Sequence, residues 1–243
     1  MRGISLFLLA VFGLCCAQQA PAQTALAPRA SIVAFGLWDD QRVFQLEASR
    51  GAAILARDLG AGPRVMVRAN TPGHYAASPQ ALGQALLVAA RKMDAERDVL
   101  VLMLTSHGAP GGIGVKMGRS TLLIPPAVLK NALDRTGIRH KVIIVSACYS
   151  GVFADVLADA DTLVITAADA GHPSFGCTNT ARWTWFGQAF FGEALMRTRS
   201  LPQAFEIAKA SIAKRELLEK FDPSNPQFRG GEHVLPLLDA LTR

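Results

Sequence analysis

Val99-Leu100-Val101-Leu102-Met103-Leu104-Thr105 is an unbroken apolar run that passes directly into Ser106-His107-Gly108. A half-buried strand alternates polar and apolar residues; a run without alternation reads as a strand buried on both faces, as in parallel sheets covered by helices. Two further segments share this character, residues 141–146 (KVIIVS) and 162–168 (TLVITAA), and shorter runs at 31–36 and 64–68 complete the strand set. Between them lie helical stretches at about 41–59, 80–92 and 125–134, the last opened by Pro125-Pro126, a residue type well placed at a helix start. Residues 114–124 read as a hairpin turning at Gly118-Arg119, and two more helices are expected at 185–197 and 202–220, before a tail punctuated by Pro and Gly. Strands alternating with helices imply right-handed crossovers and an α/β fold with a mostly parallel sheet between helical layers.

In such sheets functional groups gather at the carboxyl ends of the strands. Two of the most apolar runs end in reactive side chains: 99–105 leads to His107, and 141–146 leads to Ala147-Cys148-Tyr149-Ser150-Gly151. If these strands are parallel neighbours, His107 and Cys148 emerge at one edge. A free thiol, with a pKa near ~8.5, is mostly protonated at neutral pH; a nearby imidazole raises its thiolate fraction and can return the proton to a leaving amine. Gly108 and the glycines at 111 and 112 let backbone approach a substrate, so the amides of Gly108 and Cys148 are candidates to face a developing oxyanion.

Composition bounds the rest. The chain has 243 residues, half of them hydrophobic and 18% charged, enough for one sizeable core. Its net charge of +6 is dispersed, without the basic run of a nucleic-acid or membrane arm, so no nucleic-acid partner is expected. The N-terminus has Arg2, an apolar stretch over 4–16 and Ala20-Pro21-Ala22, the layout of a secretory signal peptide cleaved before Gln23. Residues 1–22 are therefore assigned to export, to the periplasm or outside the cell, and 23–243 to a single domain. The apolar stretch is short for a bilayer span, and no stable membrane insertion is expected. Cys15 and Cys16 raise lipid anchoring as an alternative, but the residues before them match a lipobox poorly. Cleavage leaves Cys148 and Cys177, and in an exported protein such a pair also reads as one disulfide, which would silence Cys148.

Ser-His-Gly after one apolar strand and Ala-Cys-x-Ser-Gly after the next resemble the legumain-like (asparaginyl endopeptidase) cysteine peptidases, in their bacterial branch. Thr166-Ala167-Ala168-Asp169, Ser174-Phe175-Gly176-Cys177 and Trp185-Phe186-Gly187 extend the resemblance over about 31–200. It implies the caspase-type fold, a three-layer α/β/α sandwich shared with caspases and gingipains, and a peptide or protein substrate. It also implies Cys148 as nucleophile, His107 as base, and Asp169 and Ser174 in the substrate-binding loop. The family follows its first strand with a Trp and, four residues on, an Arg of the S1 pocket; Trp38-Asp39-Asp40-Gln41-Arg42 has that spacing, making Arg42 a substrate-binding candidate. An Asn two residues before that Arg orients the catalytic His in plant and animal members; here the position is Asp40, which could hold the imidazole in the same way or, standing just before a helical stretch, serve as a helix N-cap.

Asn-specific members carry an acidic residue two positions before the catalytic Cys, where this chain has Ser146, and a second pocket carboxylate near Arg182-Trp183, where it has none. With Arg42 and Arg182 at that pocket, an acidic P1 side chain is expected in place of Asn. The pattern leaves open whether water or an incoming amine resolves the thioester, and whether the fold serves as a silent peptide-binding module. His74, His140, His172 and His233 are scattered, without H-E-x-x-H or C-x-x-C spacing, so no metal is expected. The glycines at 111, 112 and 114 lack the G-x-G-x-x-G spacing of a phosphate loop, and no cofactor is expected.

Overall fold

The computed structural model describes residues 26–242. The expected signal peptide and its cleavage site, with Cys15 and Cys16, lie outside the described residues.

Five parallel strands form the body of one sheet: β1 (Ala30–Gly36), β2 (Val65–Thr71), β4 (Val99–Thr105), β8 (His140–Ser146) and β9 (Thr162–Thr166). The short β3 (His74–Tyr75) and β10 (Gln227–Arg229) add antiparallel edges, giving the order β10-β9-β8-β4-β1-β2-β3. Beside it stands a small antiparallel sheet of β5 (Gly108–Ala109), β6 (Gly112–Met117) and β7 (Ser120–Ile124), whose last two strands are the expected hairpin. Helices α1 (Arg42–Asp58), α2 (Pro79–Ala90), α3 (Pro126–Asp134), α4 (Gly151–Leu157), α6 (Leu201–Glu219) and α7 (Leu235–Leu241) cover the main sheet. The short α5 (Trp185–Gly187) continues as a π-helical stretch, Gln188–Ala194.

The layers follow from the two-residue period of the strands. On one face Ile32, Val101, Met103, Val142, Ile144 and Ile165 pack with Leu55 of α1, Phe190 and Phe191 of the π-helical stretch, Phe205 of α6 and Leu238 of α7. On the other, Val33, Phe35, Leu100, Leu102, Leu104, Ile143 and Val145 pack with Leu86 of α2, Leu133 of α3 and Phe153 of α4. All seven residues of β4 are buried, because helices lie above and below it. At about 1.5–3 kcal/mol for each large apolar side chain removed from water, these two clusters dominate the folding free energy. The result is the α/β/α sandwich expected from the unalternating runs.

Five elements were not anticipated. The tail forms β10 and α7 instead of remaining irregular, α4 begins three residues after Cys148, and the short β3 and β5 lie in stretches expected to be loops. Among the described residues, no helix is long and apolar enough to cross a membrane.

Candidate active site

The two reactive strand ends are neighbours. β4 and β8 pair in parallel with Thr105 opposite Ser146, so His107 and Cys148 each lie two residues beyond a matched pair. The Ser106 N–H donates to the Ser146 carbonyl at 3.2 Å, continuing the ladder into the site. Gly108 then crosses so close to Cys148 that an added Cβ would lie 1.9 Å from the Cys148 carbonyl oxygen. Only glycine permits that approach.

Beyond β8 the chain turns sharply. Tyr149 takes a left-handed conformation, φ 55°, which costs a non-glycine residue about 1–2 kcal/mol. Its N–H donates to the His172 carbonyl at 2.9 Å, and α4 begins two residues later. The turn presents the Cys148 thiol to the loop that follows β9. There the Ser174 N–H donates to Sγ at 3.3 Å, Sγ donates to the Ser174 carbonyl at 3.3 Å, and the Ser174 hydroxyl lies 3.8 Å away.

His107 is held on three sides. The rings of Trp38 and Phe44 meet the imidazole edge-on, with centroids at 4.7 and 5.1 Å. Nε2 is hydrogen-bonded to the Oε1 of Gln41. The Gln41 amide cannot be reversed without loss, because its Nε2 donates to the Cys177 carbonyl at 2.9 Å, an acceptor only. Oε1 therefore faces the imidazole, the proton sits on Nε2, and Nδ1 is the basic nitrogen of the neutral ring. Burial, reinforced by the Lys116 charge and partly offset by Asp40, lowers the His107 pKa, so the ring is neutral at neutral pH.

Asp40 does not take the orienting position expected of it. Its carboxylate is exposed and ion-paired with Lys116 of β6, which holds its pKa below the usual range. The neighbouring Gln41 has the reach and direction that Asp40 lacks.

Residues 83–232 match the family model described as the Peptidase C13 family. The chain belongs to that family. It is a cysteine peptidase of the legumain type. Among solved structures it is similar to caspase-1 from Spodoptera frugiperda, with a TM-score of 0.59 and 15% identity over 84% of this chain and 86% of that one. It is also similar to the pro-form, pro-sf-caspase-1, with a TM-score of 0.58 and 16% identity over 84% and 91% of the two chains. At that identity the likeness establishes the caspase fold. No curated protein matches.

The remaining positions expected of a C13 peptidase divide in the structure. Arg42, the first residue of α1, is exposed and, among the described residues, makes no ion pair. Arg182 is exposed too, on the wall of a cavity of about 770 Å³ that Phe175, Trp183, Trp185, Arg215 and Phe221 also line. Ser146 is buried, its hydroxyl 3.1 Å from that of Thr184, so the structure gives it an internal partner and no open face. Asp169 turns inward on its own loop, accepting from the Gly171 N–H at 2.8 Å, His172 at 2.7 Å and Asn225 at 3.0 Å. Burial works against its charge, but those hydrogen bonds and the His172 charge hold its pKa low.

Cys148 and Cys177 are both free thiols. Burial pushes the Cys177 thiol up, and the proximity of Cys148 adds to the effect. Its carbonyl, through Gln41, nonetheless belongs to the chain of bonds that holds the imidazole.

Proposed function

We propose that this C13 peptidase is an exported endopeptidase working through a Cys148–His107 dyad. His107, neutral with its proton on Nε2, takes the thiol proton at Nδ1, and the sulfur attacks the scissile carbonyl carbon. The N–H groups of Gly108 and Cys148 stabilise the oxyanion. The C–N bond breaks as the imidazolium protonates the leaving amine, leaving a thioester on Sγ. Water, deprotonated by the same imidazole, then releases the acid. The observation that carries this reading is the parallel pairing of β4 with β8 in the Thr105–Ser146 register. Mixing the protein with a cleaved peptide and quenching in acid tests it. The expected result is an acyl adduct mapped to Cys148; an adduct elsewhere, or turnover with none, overturns it.

The preference at P1 follows from charge. Arg42 and Arg182 are exposed and make no ion pair among the described residues, and Ser146 supplies no carboxylate, which supports an acidic P1 side chain; Glu193 and the Arg215–Glu219 pair also line the cavity beside Arg182. Ser174 borders the thiol from the substrate loop, and Asp169 shapes that loop. A P1-diversified library is expected to favour Asp or Glu; preference for Asn or a basic residue defeats this assignment. Export rests on the layout of residues 1–22, and the mature protein is expected to begin at Gln23 on N-terminal sequencing.

A further inference from the structure

Glu47 is a carboxylate with no place in the reaction above. It lies on α1 among Val43, Phe44, Ala48 and Gly51, and is 0% exposed. Among the described residues no ion pair includes it. Burial raises its pKa, against hydrogen bonds from Ser146, Thr184 and Thr105. A buried carboxylate without a cation costs stability unless its acceptors are matched by donors.

The donors come from separate segments. The Thr105 hydroxyl, at the end of β4, donates to Oε1 at 3.0 Å. The Thr184 N–H, at the start of α5, donates to Oε2 at 2.8 Å. The Thr184 hydroxyl in turn meets that of Ser146 at the end of β8 and accepts from the Gly187 N–H at 2.9 Å. Gly187 packs onto the carboxylate so closely that an added Cβ would lie 2.1 Å from Oε2. One side chain thus joins the strand end before His107, the strand end before Cys148 and the far end of the loop after β9.

That loop has two anchors. Upstream, the Asp169 N–H donates to the Ser224 carbonyl and its carboxylate gathers Gly171, His172 and Asn225. Downstream, among the described residues, Glu47 is the one carboxylate that accepts from the end of the loop. Between the anchors the loop places Ser174 on the Cys148 sulfur, the Cys177 carbonyl on Gln41, and Phe175 and Arg182 on the cavity wall.

We propose that Glu47 is a positioning residue for substrate binding, anchoring the downstream end of this loop to the two strand ends that carry the reactive pair. The proposal rests on the peptidase reading for its substrate and on geometry for its anchor. Neutral Gln at position 47 can still accept from the Thr184 N–H and donate to the Thr105 hydroxyl, which rotates to receive it. Leu can do neither.

Full-length Glu47→Gln and Glu47→Leu variants, with Thr105→Val and Thr105→Ser, test this through KM, Cys148 alkylation by iodoacetamide, and hydrogen exchange over 170–183. Glu47→Leu is expected to raise KM by about tenfold or more while changing the alkylation rate less than about threefold, with faster exchange in the loop. Glu47→Gln should stay within about threefold of wild type in KM. Should Glu47→Leu not fold, Thr105→Val, which removes the hydroxyl donated to Oε1, is expected to raise KM by at least about threefold, and Thr105→Ser to restore it. A KM within about twofold of wild type in the Leu variant, or in Thr105→Val where that one serves, overturns the anchor even if the melting temperature falls. So does a Gln variant as impaired as the Leu variant. Absence of hydrolysis by the wild type sinks the peptidase reading instead, and loop exchange still reports on the anchor.

Discussion

Each end of β4 has a buried carboxylate beside it, and the two are held in opposite ways. At the amino end, Asp98 accepts from the Arg29 guanidinium at 3.0 Å and from the N–H groups of Arg29 and Asp94 at 3.1 and 3.0 Å. Burial opposes its charge, but Arg29 and these N–H groups hold its pKa below the usual range. At the carboxyl end Glu47 has hydroxyl and amide donors and no cation, and its pKa is raised. The first arrangement ties the entrance of β1 to that of β4 with charge matched by charge. The second spends stability to fix several segments around the site. One strand therefore separates the two tasks of the fold along its length, stability at one end and chemistry at the other.

Substitutions at the two ends should separate these tasks. The largest effect is expected from His107→Ala, which should lower kcat by about 10²–10⁴ with little change in melting temperature, measured by steady-state kinetics and calorimetry. Asp98→Asn at the opposite end should do the reverse, costing about 2 kcal/mol of stability in denaturant titrations while kcat of the folded enzyme stays within about twofold. The pH dependence has a definite sign. A carboxyl whose folded pKa is lowered stabilises above its unfolded value and loses that contribution as pH falls through the folded one, so the gap between wild type and Asp98→Asn should close in acid.

Gln41→Leu should lower kcat/KM by about tenfold, because the imidazole loses the acceptor that fixes its tautomer but keeps Trp38 and Phe44. The smallest effect belongs to Lys116→Met. It removes a charge that depresses the His107 pKa and frees Asp40 to raise it, so the imidazole should titrate at higher pH, by less than about one unit, in an NMR titration. No shift, or a downward one, contradicts the assignment.

How much of this was legible depended on whether the information was local. The runs at β4, β8 and β9 stated their burial in composition alone, and the positions of His107 and Cys148 followed from where those runs stop. β10 was not legible because its three residues are a strand only through pairing with β9, and α7 because it follows a Pro- and Gly-rich stretch. Gln41 was hidden because its partners, His107 and Cys177, lie 66 and 136 residues away. Asp40 was the more plausible partner by charge, but Lys116 claims it. Glu47 did leave a signal: it occupies the apolar stripe of α1, four residues after Val43 and three after Phe44, where a charged residue has no ordinary reason to sit. The internal partner of Ser146 was beyond reach, since Thr184 lies 38 residues further along the chain.

The proposed nucleophile, Cys148, stands at the chemical end of the sheet. Its most direct test compares wild type with Cys148→Ala on a broad peptide library, with circular dichroism to verify the fold of both. Cleavage by the wild type and none by the folded variant is the expected result. Equal hydrolysis by the two proteins would contradict it.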